Sequence, residues 1–161
     1  MDNLKVNPPD TPVNSTGLSS LQEALNYHFK DEALLIRALT HTSFAYESKE
    51  KDKSDNQRLE FLGDSILSLV TAEHLYKKHP GISEGELTRL RALLVNKTNL
   101  TKKAKEIGLG QYLLLGKGEE KSGGRQTPTN LEGALEAIIA AIYLDSAGLL
   151  EAERFIMGMI I

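Results

Sequence analysis

Apolar residues recur at three- and four-residue intervals along most of the chain, and this spacing predicts helices separated by short polar breaks. Leu18, Leu21, Leu25 and Phe29 form the stripe of a first helix, with Ser19 or Ser20 near its start. Asp31 is a plausible N-cap for a second, which carries Leu34, Leu35, Ala38 and Leu39. The strongest pattern follows, where Leu59, Leu62, Ile66, Leu67, Leu69 and Val70 wrap most of the way round one helix. That helix continues through Ala72, Leu75 and Tyr76 to Lys77, Lys78 and His79 before Pro80-Gly81 breaks it. Such a pattern marks a long, largely buried central rod.

Ser83 and Glu86 have the spacing of a capping box and open a helix striped by Leu87, Leu90, Leu94 and Val95. Another helix runs from Asn99 to Ile107 and stops at Gly108. Beyond Thr127-Pro128, Leu131, Ala134, Leu135, Ile138, Ile139, Ala141, Ile142 and Tyr143 make a helix that is apolar nearly all round. A last helix holds Leu149, Leu150, Phe155, Ile156 and Met159. The fold class is therefore all-α.

Two carboxylates conflict with the apolar pattern of the central helix. Glu60 and Asp64 are four residues apart, about 400° of rotation, so they lie one above the other on one face. Stacked like charges repel, and burying them is costly without a cation or a proton. Hard oxygen donors suit Mg2+, with Mn2+ able to substitute, rather than zinc. Glu136 is a third misfit, set in the middle of the other apolar helix, with Glu132 one turn earlier on nearly the same face. Gly63, Gly133, Ala134, Ala137, Ala140 and Ala141 are small enough to let these two helices approach closely. The spacing of Glu60 and Asp64 alone is weak evidence, because most such pairs are solvated; the apolar flanks give it weight.

Composition narrows the class. The chain has 161 residues, 40% of them hydrophobic, enough for one well-buried domain. It has no Cys, which removes disulfide and thiolate chemistry and fits a reducing compartment. No run reaches the roughly 18 apolar residues of a membrane helix, so the expectation is a cytoplasmic protein without a membrane partner. Its formal net charge of -3 does not announce a nucleic-acid binder, and a polyanion would have to be held by local cations and bound metal.

The remaining features read as structural. Residues 1–17, with Pro8, Pro9 and Pro12, are expected to be a flexible leader to a domain spanning 18–161. His41 and Ser43 resemble a base and nucleophile, yet no acid is suitably placed, and a helix-end role fits His41 better. Residues 46–55 alternate Lys with Glu or Asp and read as a solvated loop, with Ser54 or Asp55 capping the central helix. Arg89, Arg91 and Lys97 are candidates for phosphate contacts, though a wet charged face is commoner. Gly116 to Arg125 reads as a mobile glycine-rich loop without the order of a P-loop.

Gln57-Arg58-Leu59-Glu60-Phe61-Leu62-Gly63-Asp64-Ser65 closely resembles the signature of the endonuclease domain of the ribonuclease III family. The likeness extends through Leu39-Thr40-His41-Thr42-Ser43, Glu84-Gly85-Glu86-Leu87-Thr88, Leu115-Gly116-Lys117-Gly118-Glu119 and the stretch from Glu136 to Asp145. The resemblance implies a homodimeric helical fold around a long central helix. It implies Mg2+-dependent hydrolysis of double-stranded RNA to 5′-phosphate and 3′-hydroxyl ends, as in ribosomal and messenger RNA processing. By position, Glu60, Asp64 and Glu136 match the family's metal ligands, Asp64 and Glu136 being catalytic. Phe61 matches the aromatic residue that enters the partner subunit, and Glu84 an acid near the catalytic valley. No individual RNA-binding residue is assigned.

Two positions depart from the family pattern. Gln57 stands where Glu is usual, and Gly133 stands where the family has an Asp ligand. Either water fills that coordination position or Glu132, about 100° round the helix, reaches in. The family's double-stranded-RNA-binding domain has no room after Leu149, so weak, salt-sensitive binding is expected. The alternative is a dimeric RNA-binding module of the same fold whose chemistry is weakened or silent. Gly133 favours that alternative; the intact Glu60, Asp64 and Glu136 oppose it.

Overall fold

A computed structural model describes residues 15–48 and 54–161. Nine α-helices are formed among them: α1 (Ser15–Leu25), α2 (Glu32–Leu39), α3 (Thr42–Glu47), α4 (Gln57–Lys78), α5 (Glu84–Val95), α6 (Lys97–Glu106), α7 (Lys117–Lys121), α8 (Pro128–Asp145) and α9 (Leu149–Met159). Two 3₁₀ turns, Leu109–Tyr112 and Gly124–Gln126, complete the order. Among the described residues the only strand-like pairing is a single bridge between Thr40 and Leu114, so the fold is all-α as expected.

The core is built around α8. From Gly133 to Ile142 every residue of this helix is buried, because α2, α4, α6 and α9 all pack against it. Its largest interface is with α4. There the two backbones come so close that a Cβ added to Gly63 would run into the Glu136 carbonyl group. Small size at residue 63 is thus a condition of the packing.

The start of α4 is fixed by polar contacts. Buried Asn56 donates from its backbone N–H to Thr40 O at 2.9 Å and from Nδ2 to Ala38 O at 3.3 Å. Asp55 supplies the cap, its Oδ1 accepting from Gln57 N at 3.2 Å. Glu60 therefore sits on the first turn of a helix whose end is anchored to α2 through Asn56.

Several boundaries differ from the sequence reading. Helix α1 begins at Ser15, because its first turn has no apolar residue to set a register; the rest of the expected leader lies outside the described residues. Tyr46 and Glu47 belong to α3 rather than to the loop, and the alternating charges at 49–53 are outside the described residues. The stretch 116–125 is held rather than loose. Arg125 donates from Nη1 to the carbonyls of Gly110, Gln111 and Leu113 at 2.9–3.1 Å and pairs with Glu120 at 2.6 Å. Leu69 is 56% exposed although the pattern grouped it with the core.

Replacing Gly63 with Ala is expected to cost at least about 3 kcal/mol, because two backbones rather than a flexible side chain must move. Gly81→Ala, where an added methyl meets nothing within 4 Å, serves as control and should change stability by less than about 0.5 kcal/mol. Chemical denaturation of both variants checks this; equal small effects would contradict the close α4–α8 contact.

Candidate functional site

The acids singled out by sequence gather on the two sides of the α4–α8 contact. Glu60 and Asp64 project from successive turns of α4, Glu60 partly buried and Asp64 exposed. Glu136 on α8 is only 8% exposed, buried by the same close approach that excludes a side chain at residue 63. Glu132, one turn before it, keeps 19% of its side chain exposed.

These groups act on one another electrostatically. Burial, reinforced by the charges of Asp64, Glu132 and Glu60, pushes the Glu136 carboxyl from 4.5 up to about 8, while Lys97 opposes the shift. Burial also raises Glu60, followed by the charges of Glu132 and Asp55, with His41 acting the other way. A buried carboxylate facing three others retains its proton because the ionised form lacks compensating charge.

Residue 133 shapes the arrangement further. The Glu60 Oε2 lies 2.7 Å from where a Cβ on Gly133 would be, so Glu60 leans into the space that the missing side chain leaves on α8. Glu132 is turned toward Lys97, with Nζ 3.4 Å from its Oε2. With Glu60 drawn one way and Glu132 the other, no three Asp, Glu or His side chains among the described residues converge on one point at metal-binding distance. The donor set nonetheless fits a hard divalent cation. It is all carboxylate oxygen, and Glu136, raised first by burial and then by its acidic neighbours, lacks the compensating charge that such an ion would supply.

His41 is used structurally, as its helix-end position suggested. Its Nδ1 accepts from Ser43 N at 3.2 Å and caps α3, while Ser43 Oγ accepts from Gly116 N at 2.9 Å. Glu84 opens α5 and accepts from Thr88 Oγ1 at 2.9 Å, and it lines a groove whose walls include none of Glu60, Asp64, Glu132 and Glu136. In the walls of that groove Leu69 is 56% and Tyr76 73% exposed, beside Ala72 and Leu87; Phe61, two turns earlier on α4, is 78% exposed. Sequence reasoning singled out Phe61 but missed Leu69 and Tyr76. Their spacing on α4 carried the signal, since an apolar stripe wider than one neighbouring helix can cover leaves a second face.

The Glu136 shift sets the sign of a pH effect in the metal-free protein. Between 4.5 and about 8 the folded chain holds a proton that the unfolded chain has released. Stability from this group is complete below the lower value and is lost as pH rises through the upper one. In chelator, the thermal midpoint should decline across that interval, and Glu136→Gln should flatten the decline. An unchanged slope in the glutamine variant would show that Glu136 is not the group responsible.

A family model described as ribonuclease-III-like matches residues 31–161. Ribonuclease 3 from Syntrophobacter fumaroxidans is 51% identical over 131 residues, covering 81% of this chain and 54% of its own length. Ribonuclease 3 from Caldanaerobacter subterraneus is 51% identical over 137 residues, covering 85% of this chain and 59% of its own. The chain thus spans somewhat over half the length of these curated relatives. Among solved structures, the nuclease domain of ribonuclease III from Campylobacter jejuni superimposes with a TM-score of 0.82 at 44% identity, covering 89% of this chain and 95% of that one. That structure concerns flexibility in a region involved in dimer formation of the Campylobacter domain. A helical core organised by α4 and α8, together with the matched span, makes this chain a member of the ribonuclease-III-like family.

Proposed function

We propose that the chain is the catalytic core of an endoribonuclease that hydrolyses double-stranded RNA to 5′-phosphate and 3′-hydroxyl products with Mg2+. The observation that carries this reading is the juxtaposition of Glu60, Asp64 and Glu136 across the α4–α8 contact, with Glu136 buried among like charges. Glu60, Asp64 and Glu136 are the residues that would hold the metal, and Mn2+ should substitute for it. When bound, the ion supplies Lewis acidity toward water and the scissile phosphate.

The chain's own groups do the rest. Asp64, exposed at the rim, is placed to meet solvent and the phosphate backbone. Glu136, buried against α4, has its carboxylate orientation limited by packing. Its proton leaves when positive charge arrives, so metal binding near neutral pH should release a proton. Glu60 is the adaptable member, because the gap over Gly133 lets its carboxylate lie back onto α8 or swing forward.

At the position of the family's Asp ligand, Gly133 provides no side-chain donor. Water or Glu132 would complete the coordination of a bound ion, and activity would be retained but weakened or more dependent on metal concentration. The silent RNA-binding module remains the second reading, and Gly133 is the observation that favours it.

The apolar groove of α4 and α5 is the surface by which two copies would associate, with Phe61 entering the partner. Sedimentation of Phe61→Ala checks this, the expected result being a shift toward monomer. No helix among the described residues is long and apolar enough to cross a membrane. The absence of Cys fits a reducing compartment such as the cytoplasm, and membership of the family is the ground for proposing ribosomal and messenger RNA precursors as substrates.

Cleavage of labelled duplex RNA with Mg2+ or with EDTA separates the two readings. Mg2+-dependent cleavage that Asp64→Asn lowers by about 100-fold or more supports the nuclease. RNA binding without cleavage by the unaltered chain identifies the silent module. Within the same assay Glu132→Ala should raise the Mg2+ concentration needed for half-maximal rate; an unchanged dependence eliminates Glu132 as a ligand and leaves water in that position.

A further inference from the structure

Lys97 is the first residue of α6, a helix packed on α8, and its Nζ reaches two points of the opening turns of α8. It lies 3.4 Å from Glu132 Oε2 and 3.4 Å from Thr129 Oγ1, residues three apart on the same helix. Its side chain is 53% exposed whereas that of Glu132 is 19% exposed, so the cation is at the mouth and the acid farther in. Glu136, buried within the cluster, feels the Lys97 charge together with those of Asp64, Glu132 and Glu60.

We propose that Lys97 is a tethered counter-cation of the acidic site, which holds Glu132 at the edge of the cluster and competes with a divalent ion for it. This rests on the metal-binding reading above and goes beyond it, since it assigns a positioning residue that sets how readily the ion enters. The ammonium is confined by α6 at its base and by Thr129 and Glu132 at its tip, so its charge is delivered to one side of the cluster. Glu132 becomes free to turn toward Glu60 and Glu136 only when Lys97 releases it, and solvent can take up the released ammonium at the exposed mouth. The pairing belongs to this chain's particular sequence at this turn, where an acid at 132 precedes a glycine at 133.

The consequence is a site whose divalent affinity is held down by a built-in rival. Mn2+ titration by calorimetry of the whole chain measures this directly. Lys97→Met should bind Mn2+ about three- to tenfold more tightly than the unaltered protein at low salt, with the gap narrowing at high salt. Lys97→Arg, which keeps the charge, should stay near the original affinity. In chelator the same Lys97→Met protein should melt at a lower temperature, because the acids have lost their counter-charge, and saturating Mn2+ should remove the deficit. If Lys97→Met does not fold, Lys97→Gln takes its place.

The specific claim is tested by repeating the comparison in a Glu132→Gln background, where removing Lys97 should change affinity less than twofold. An undiminished effect there would mean that Lys97 acts as a distant charge only, and the proposal falls. It falls equally if the unaltered protein binds Mn2+ and Lys97→Met binds it no better. If neither protein binds Mn2+, the metal-binding reading of the site fails and takes this inference with it.

Discussion

Everything in the site follows from how closely α4 and α8 approach at Gly63. With no side chain there, the backbone of α4 lies against the carbonyl of Glu136 and the two helices form the largest contact in the fold. The approach buries Glu136 and sets it beside the α4 face that carries Glu60 and Asp64. A wider separation would hydrate Glu60 and Glu136 and relieve the upward shift that burial gives each of them. The contact therefore creates an electrostatic problem in the protein interior, and a hard divalent ion is the simplest answer to it.

The site also has a local asymmetry. On one side, the missing side chain of Gly133 gives Glu60 room to lie against α8. On the other, Glu132 is drawn to Lys97 at the mouth. Together these leave the acids in one neighbourhood without bringing three of them to a common point. Carboxylates that have to be gathered by their ligand bind it less tightly than a set already arranged, because repulsion and lost side-chain freedom oppose the gathering. Weak binding of a divalent ion is the expected outcome of such a site.

Much of this was legible in the sequence because it is local. Apolar spacing at three and four residues located the long helices, and carboxylates out of place in an apolar run marked Glu60, Asp64 and Glu136. The Ser83–Glu86 capping box was readable for the same reason and is present in the structure. Contacts between distant segments were not readable. Arg125 orders 116–125 by reaching the carbonyls of Gly110, Gln111 and Leu113, so a stretch rich in glycine looked loose although it is held. Lys97 and Glu132 are far apart in sequence and meet only because α6 packs on α8. Leu69 and Tyr76 misled in another way: an apolar residue on a central helix can face a neighbouring helix or solvent, and periodicity does not say which.

The account stands on a divalent ion being held between α4 and α8. Anomalous diffraction from crystals soaked in Mn2+ tests this most directly. The account predicts a peak bounded by carboxylate oxygens of Glu60, Asp64 and Glu136, with Asp64→Asn weakening or abolishing it. A fully soaked crystal with no peak between these helices, or with manganese bound only elsewhere on the surface, would contradict it.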